Sequence, residues 1–300
     1  MGGELAAAYP LAREAFEQAD EILGFSLSRL MWDGPEAELN DTINTQPALM
    51  VHSVAALRVL QAQFPDLKAT FVAGHSMGEL SALVAADALP FPEALRLVRT
   101  RGELMKRAGE INPGGMAAIM GLDIPTLEAI CAQALLGQAT SGDEIVQVAN
   151  DNAPGQVVIS GARVALERAV EAAQQAGARR AVILAVSIAA HSPLMGNAQA
   201  DFSQAVDEAP LADPVIPIIA NITARAMHTT AEVRADLQGQ LRSRVRWTES
   251  VQYMVSQGVQ TFIEIGSGSV LCGLIKRIDR DATCLTLSTP QDFEKLGSLL

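Results

Sequence analysis

Apolar residues recur at three- and four-residue steps along the first hundred or so positions, and in continuous or alternating runs in several later segments. The first pattern predicts helices with one buried face and the second predicts strands. "ELAAAYPLAREAFEQADEILG" reads as one helix stopped by Gly24, and "TQPALMVHSVAALRVLQAQF" as a second that Pro47 can start. The short apolar run "ATFVAG" predicts a strand and "GELSALVAADAL" a helix directly after it. "PEALRLVRTRGELMKRAGE" predicts a long helix with many cations, broken by "NPGG" at 112–115.

The pattern then changes. "MAAIMGL" reads as a strand, "IPTLEAICAQALL" as a helix, "IVQVAN" and "GQVVISG" as strands, "ARVALERAVEAAQQAGA" as a helix and "RRAVILAV" as a strand. That order, βαββαβ, is the ferredoxin-like split unit. Beyond it come a strand in "VIPIIAN", a helix in "WTESVQYMVSQG", a strand in "TFIEIGSG", a helix in "SVLCGLIKRI" and a strand in "ATCLTLS". The fold class expected is α/β: a mostly parallel-sheet, α/β-hydrolase-like body interrupted by a small ferredoxin-like α+β subdomain. The expected boundaries are 1–112 and 187–300 for the body and 113–186 for the insert. A cleft between the two is the default binding site.

Composition narrows the function classes. In 300 residues, 49% are hydrophobic and 4% aromatic, which suits helices packed on a buried sheet and a core that needs no covalent staples. The formal charge of −12 argues against nonspecific nucleic-acid binding. The longest apolar run, "AVILAVSIAA" (181–190), is far short of the roughly 18 residues of a membrane span and reads as a buried strand. The start "MGGELAAAYP" shows neither the basic nor the apolar region of a signal peptide. Cys131, Cys272 and Cys284 have no metal-ligand spacing and no histidine beside them in sequence. They are expected to be reduced core thiols in a cytoplasmic protein, with no metal site.

One stretch carries candidate chemistry. Gly74-His75-Ser76-Met77-Gly78 fits G-x-S-x-G, between an apolar strand and an alanine-rich helix. A serine at a sharp strand-to-helix turn needs strained dihedrals and small neighbours two residues away, and its hydroxyl stands clear at the positive end of the helix. An ordinary glycine-rich turn gives the same letters. A nucleophilic serine needs a base, and there are four histidines. His75 projects differently from its neighbour and reads as structural, His52 as a packed residue inside a helix and His228 as a loop residue. His191, at the end of the longest apolar run, is the best base by elimination.

Together, "GHSMGE", "TQPALM" (45–50), "RLVRTRGELM" (96–105), "VANDNAPGQVVISG" (148–161), "HSPLM" (191–195), "RVRWTESV" and "EIGSGSVLCGLIKRI" resemble the malonyl-CoA:acyl carrier protein transacylases. These are the acyltransferase family of fatty acid and polyketide synthesis, and the resemblance covers nearly the whole chain. It implies Ser76 as acylated nucleophile, His191 as its base and Gln240 as the residue that orients the histidine. It implies Arg101 as partner of the malonyl carboxylate, where a guanidinium fork matches both oxygens. Read without the family, Arg101 is a solvated cation on a basic helix. The Met77 N–H would be an oxyanion donor. Gln46, Asn150 and Asn152 would line or brace the cleft, though each also suits a local turn or cap.

Two features depart from the family pattern. Relatives open with a strand and an F-x-G-Q-G-S-Q loop whose glutamine gives a second oxyanion N–H, just before a segment like "MGGEL"; a late start, with a strand's gap in the sheet, is the expectation. Ala190 stands where polyketide relatives carry phenylalanine with malonyl or serine with methylmalonyl specificity; malonyl is the expected group. The implied activity is ping-pong malonyl transfer from malonyl-CoA to the phosphopantetheine thiol of acyl carrier protein, in the cytoplasm, with no cofactor, nucleic acid or membrane involved. A basic patch would dock the acidic carrier, with Arg179, Arg180, Lys276 and Arg277 as candidates. The alternatives are a thioester hydrolase on the same fold and a non-catalytic acyltransferase-like subunit. A serine esterase of the α/β-hydrolase type fits less well, since its histidine usually comes late in the chain.

Overall fold

A computed structural model of the protein describes residues 1–135 and 145–299. The chain opens with α1 (Gly3–Ala8) and α2 (Pro10–Leu23), so the single opening helix expected from the pattern is broken in two. Pro10 has no N–H to continue α1, and Tyr9 before it is extended. Short helices α3 (Leu27–Asp33) and α4 (Glu36–Leu39) lead to α5 (Thr42–Gln63), capped by Asp41, whose carboxylate accepts the Ile43 N–H at 3.2 Å. Pro47 therefore lies inside α5 and does not start it. Its ring leaves the Ile43 carbonyl without a helical donor, and Arg99 Nη1 donates to that oxygen at 2.9 Å.

After β1 (Val72–Ala73) and α6 (Gly78–Ala85), α7 (Phe91–Ile111) lies along α5. The approach is close: a Cβ added at Gly102 would stand 2.9 Å from the Thr42 carbonyl oxygen. The chain then builds β2 (Gly114–Met120), α8 (Ile124–Leu135), β3 (Val146–Ala153), β4 (Gln156–Ala162), α9 (Arg163–Gln175) and β5 (Arg180–Ile183). These strands form one antiparallel sheet in the order β3-β4-β2-β5, over a separate apolar cluster that includes Ile119, Leu127, Ile159 and Leu166. The run "AVILAVSIAA" is not a buried strand throughout. Only its start belongs to β5, which pairs with β2 alone; Val182 is 39% exposed and residues 185–187 are exposed after the strand ends.

The remainder comprises α10 (Gly196–Glu208), β6 (Ile218–Ile219), β7 (Ala226–Met227), α11 (Thr230–Gln240), α12 (Trp247–Ser256), β8 (Thr261–Ile265), α13 (Val270–Ile278), β9 (Thr283–Leu287) and α14 (Pro290–Gly297). Here the expected mostly parallel sheet is present only in pieces. β1 and β6 pair parallel, β7 joins β6 antiparallel, and β8 and β9 form a parallel pair of their own. The main core packs α2, α5, α6, α7 and α10 together through Phe16, Met50, Val51, Leu83, Leu95 and Phe202. Among the described residues no helix is long and apolar enough to cross a membrane.

One expectation about cysteine is overturned. Cys272 in α13 and Cys284 in β9 form a disulfide with Cα atoms 5.5 Å apart. The parallel β8–β9 pairing needs α13 as its crossover, and that crossover lays one cysteine over the other. Cys131 alone is a free, buried thiol, and burial pushes it up to about 12, far from a reactive thiolate.

Candidate active site

Ser76 sits in the turn between β1 and α6 with φ of 53°, a left-handed backbone that a serine adopts only when its surroundings impose it. Its N–H donates to Asn221 Oδ1 at 2.7 Å, and its carbonyl accepts from Gln240 Nε2 at 3.1 Å. Asn221 Nδ2 donates in turn to the Gly74 carbonyl at 2.8 Å. The requirement for small flanking residues holds on one side only. A Cβ at Gly74 would overlap the backbone of Gly78, whereas a Cβ at Gly78 would meet nothing within 4 Å. The Met77 N–H donates to no acceptor among the described residues and lies at the N-terminal end of α6, as an oxyanion donor must.

His191 reaches this turn from far along the chain. Its Nε2 lies 2.8 Å from Ser76 Oγ, and its Nδ1 donates to the carbonyls of Gln240 at 3.0 Å and Ser243 at 3.1 Å. Those carbonyls fix the tautomer: Nδ1 carries the proton and Nε2 offers its lone pair to the hydroxyl. His191 does not end a strand as expected but stands well beyond β5 in a turn with φ of 58°. Gln147 of β3 braces that turn, donating from Nε2 to the His191 carbonyl at 2.7 Å and the Arg242 carbonyl at 2.9 Å. Burial first, then the nearby Arg101 and His75, lower the His191 pKa to about 3, so the ring is a neutral base across the physiological range.

Arg101 of α7 is no solvated cation. It is 1% exposed, and Nη2 donates to Ser76 Oγ at 3.0 Å. Its other partners are uncharged: Gln46 Oε1 at 2.7 Å from Nη1, and Gln240 Oε1 at 3.2 Å from Nε and 2.9 Å from Nη2. Among the described residues no carboxylate stands within ion-pairing distance of it. Burial lowers its pKa to about 10, which leaves it charged at neutral pH. A buried guanidinium with no carboxylate in contact, and only the more distant Glu79 acting on it through space, gains from a ligand anion, so this corner suits an anionic group beside the hydroxyl.

The other expected residues separate into three kinds. Gln46 and Gln240 both hold Arg101, but Gln240 touches His191 through its backbone carbonyl, while its side chain is engaged with Arg101, Ser76 and Glu79. Asn152 accepts from His75 Nε2 at 2.8 Å and so braces the turn one residue before the serine. Asn150 is buried where β3 bulges to pair with Val245, next to the segment whose carbonyls orient His191. None of the four is a turn or cap residue. His52 is satisfied by Ser267 and Ser288, and His228 is exposed, as the sequence suggested. Asn221, Glu79 and Gln147 went unnoticed. Asn221 at least carried a signal, since it ends the apolar run "VIPIIAN" where strand ends overhang sites.

The sequence pointed to a cleft between body and insert as the default binding site. A cavity of about 590 Å³ is lined by Gly109, Gly114, Arg163 and residues 183–187, but Ser76, His191 and Arg101 do not line it. The chemistry therefore sits in a tighter, more buried corner: an alcohol with a neutral imidazole and a guanidinium each within hydrogen-bonding reach of it.

The acyl transferase domain family matches residues 1–285. The chain belongs to that family. It is 42% identical over 300 residues to the malonyl CoA-acyl carrier protein transacylase of Haemophilus influenzae, covering 100% of this chain and 94% of that one. The enzyme of the same name from Bacillus subtilis is 41% identical over 294 residues, covering 98% and 90%. Among solved structures, an acyl carrier protein S-malonyltransferase from Vibrio cholerae superposes with a TM-score of 0.94 at 40% identity, covering 99% of this chain and 94% of that one. A malonyl-transacylase in complex with its type II polyketide acyl carrier protein gives 0.94 at 39% identity, covering 100% and 95%. The chain is thus an acyltransferase, with an α/β fold shared across these structures.

Proposed function

We propose that this acyltransferase moves a malonyl group from malonyl-CoA to the phosphopantetheine thiol of an acyl carrier protein, through a malonyl ester on Ser76. The observation that carries the reading is Arg101, buried with no carboxylate in contact and 3.0 Å from the Ser76 hydroxyl. The names of its relatives point the same way. In the first half, Ser76 Oγ attacks the thioester carbonyl while His191 Nε2 takes the hydroxyl proton. The Met77 N–H and the positive end of α6 stabilise the oxyanion. The C–S bond breaks and the imidazolium returns the proton to the CoA sulfur. In the second half, the carrier's thiol gives its proton to His191 and attacks the ester, and Ser76 regains its hydrogen. Arg101 exchanges its contact with Ser76 Oγ for the malonyl carboxylate and holds the acyl group in place. Every proton in this scheme has a protein partner, so no cofactor is required.

We read residues 1–112 and 187–300 as an α/β-hydrolase-like catalytic body and 113–186 as a ferredoxin-like subdomain. The strand order β3-β4-β2-β5 and the separate apolar cluster support that division. Malonyl-CoA and a carrier protein as substrates support a cytoplasmic location for the enzyme. Arg179, Arg180, Lys276 and Arg277 are all exposed and are our candidates to meet an acidic carrier, although Lys276 Nζ already donates to the Ala282 carbonyl.

Incubation with malonyl-CoA followed by intact mass measurement tests the reading. The chain should gain the mass of one malonyl group, lose it on addition of carrier protein, and gain nothing as Ser76→Ala. Free malonate accumulating without carrier, at the rate of CoA release, would make it a hydrolase. Absence of any adduct would make it a non-catalytic subunit.

A further inference from the structure

Behind the nucleophile lies a buried pair of acids that the reaction scheme does not use. Glu79, in the first turn of α6, has no solvent exposure, and Asp236 of α11 is 5% exposed. Glu79 Oε1 accepts the Asn221 N–H at 3.1 Å, and Oε2 accepts from Gln240 Nε2. Asp236 Oδ1 accepts the Ile222 N–H at 3.1 Å. Asp236 Oδ2 is buried, and no nitrogen or hydroxyl donor reaches it. The two carboxyl groups accept from consecutive peptide N–H groups, those of Asn221 and Ile222, which sets them side by side, and a proton held between them would give Asp236 Oδ2 the donor it lacks. Burial and then the neighbouring Asp236 push Glu79 well above the usual carboxylate range, and burial pushes Asp236 up as well.

The partners of Glu79 are the two amides that clamp the nucleophile. Asn221 takes the Ser76 N–H and Gln240 donates to the Ser76 carbonyl. Because Gln240 Nε2 is drawn toward Glu79, its Oε1 must face Arg101. We propose that Glu79 and Asp236 share a single proton and serve as positioning residues, Glu79 fixing Gln240 and Asn221 through its two acceptor oxygens and, through them, Arg101 and the Ser76 turn. A glutamine at 79 would place an N–H against either the Gln240 amide or the Asn221 N–H. To escape the first clash Gln240 must flip, which turns its own NH₂ toward the guanidinium. An asparagine at 236 keeps an acceptor for Ile222 and supplies a permanent N–H to Glu79, so it imitates the shared proton.

The consequence for pH follows from the same pair. The charged or titratable group facing it from α7 is Arg101, from α11 Asp236 itself; the other groups in contact are the Asn221, Ile222 and Gln240 amides. From the ordinary carboxylate range upward the unfolded chain releases a proton that the folded pair keeps. Folding therefore loses stability as pH rises, until the pair itself ionises.

The proposal rests on Arg101 as the malonyl anchor, so the test carries Arg101→Ala as its reference. Glu79→Gln, Asp236→Asn and Arg101→Ala are compared for kcat/KM with malonyl-CoA and acetyl-CoA, and for melting temperature between pH 5 and 9, short of the loss of charge on Arg101. Glu79→Gln should lower the malonyl-to-acetyl ratio by roughly 10-fold or more, as expected for one charge-assisted contact misdirected. Asp236→Asn should restrict that loss to about threefold and flatten the decline of melting temperature with rising pH. If Arg101→Ala collapses the ratio while Glu79→Gln preserves it, the positioning role is wrong and the anchor stands. If Arg101→Ala leaves the ratio intact, the anchor is wrong, and the melting profile alone decides whether the proton is shared. Should Glu79→Gln fail to fold, Asp236→Asn decides: an unchanged pH slope overturns the proposal.

Discussion

Arg99 and Arg101 stand two residues apart on α7 and meet opposite surroundings. Two helical positions differ by about 200° around the axis, so the two guanidinium groups leave α7 on opposite sides. Arg99 lies over the Phe25 ring, pairs with Glu103 at 2.7 Å and donates to the Ile43 carbonyl and to Asn44 Oδ1, both at 2.9 Å. Its charge is answered and its donors are spent on joining helices. Arg101 points into the corner at Ser76, where amides hold its shape and no carboxylate touches it. A guanidinium whose geometry is satisfied and which no carboxylate touches is suited to a ligand anion.

The largest break in this contrast should come from Arg101→Ala. Steady-state assays should show kcat/KM for malonyl-CoA falling about 10²- to 10³-fold, as for loss of a buried charge partner, with acetyl-CoA much less affected. Arg101→Lys should recover only part of this, because an ammonium cannot hold both carboxylate oxygens and both glutamines at once. Arg99→Ala should move stability instead. Leaving the Ile43 carbonyl and the Asn44 amide without their donor should cost about 1–2 kcal/mol, seen as a fall of a few degrees in calorimetry, with the malonyl preference retained. The smallest effect is on the imidazole. Removing the Arg101 charge should raise the His191 pKa from its value of about 3, while Arg99→Ala should leave it in place; ring chemical shifts followed by NMR separate the two. In the native protein that depressed pKa also has a cost. As pH falls from about 6.5, the unfolded chain gains a proton that buried His191 refuses, so stability declines toward acid.

Local signals were readable in the sequence and long-range ones were not. The serine turn and the βαββαβ order depend on neighbours in the chain, and both lie where expected. The helix carrying Gln240 had a signal too: Thr229 and Glu232 form a capping box at its start, as Thr289 and Asp292 do for α14. By contrast, the backbone carbonyl that orients His191, the burial of Arg101 and the Glu79–Asp236 pair are set by how α6, α7 and α11 meet. No periodicity within one helix encodes that meeting. The disulfide failed for a related reason. Twelve residues separate Cys272 from Cys284, a spacing that says nothing until the β8–β9 register is known.

A proline in the middle of α5 looks like damage, since it deprives one carbonyl of its bond. The vacancy turns out to be a socket. With an ordinary residue at 47 the Ile43 oxygen would be occupied within its own helix, and α7 would have nothing to latch onto there. Gln46, next along the backbone, is half of the cradle around Arg101. The irregular turn thus fastens the cradle to the helix that bears the arginine, and an attempt to straighten α5 would loosen the guanidinium's seat beside the reactive hydroxyl.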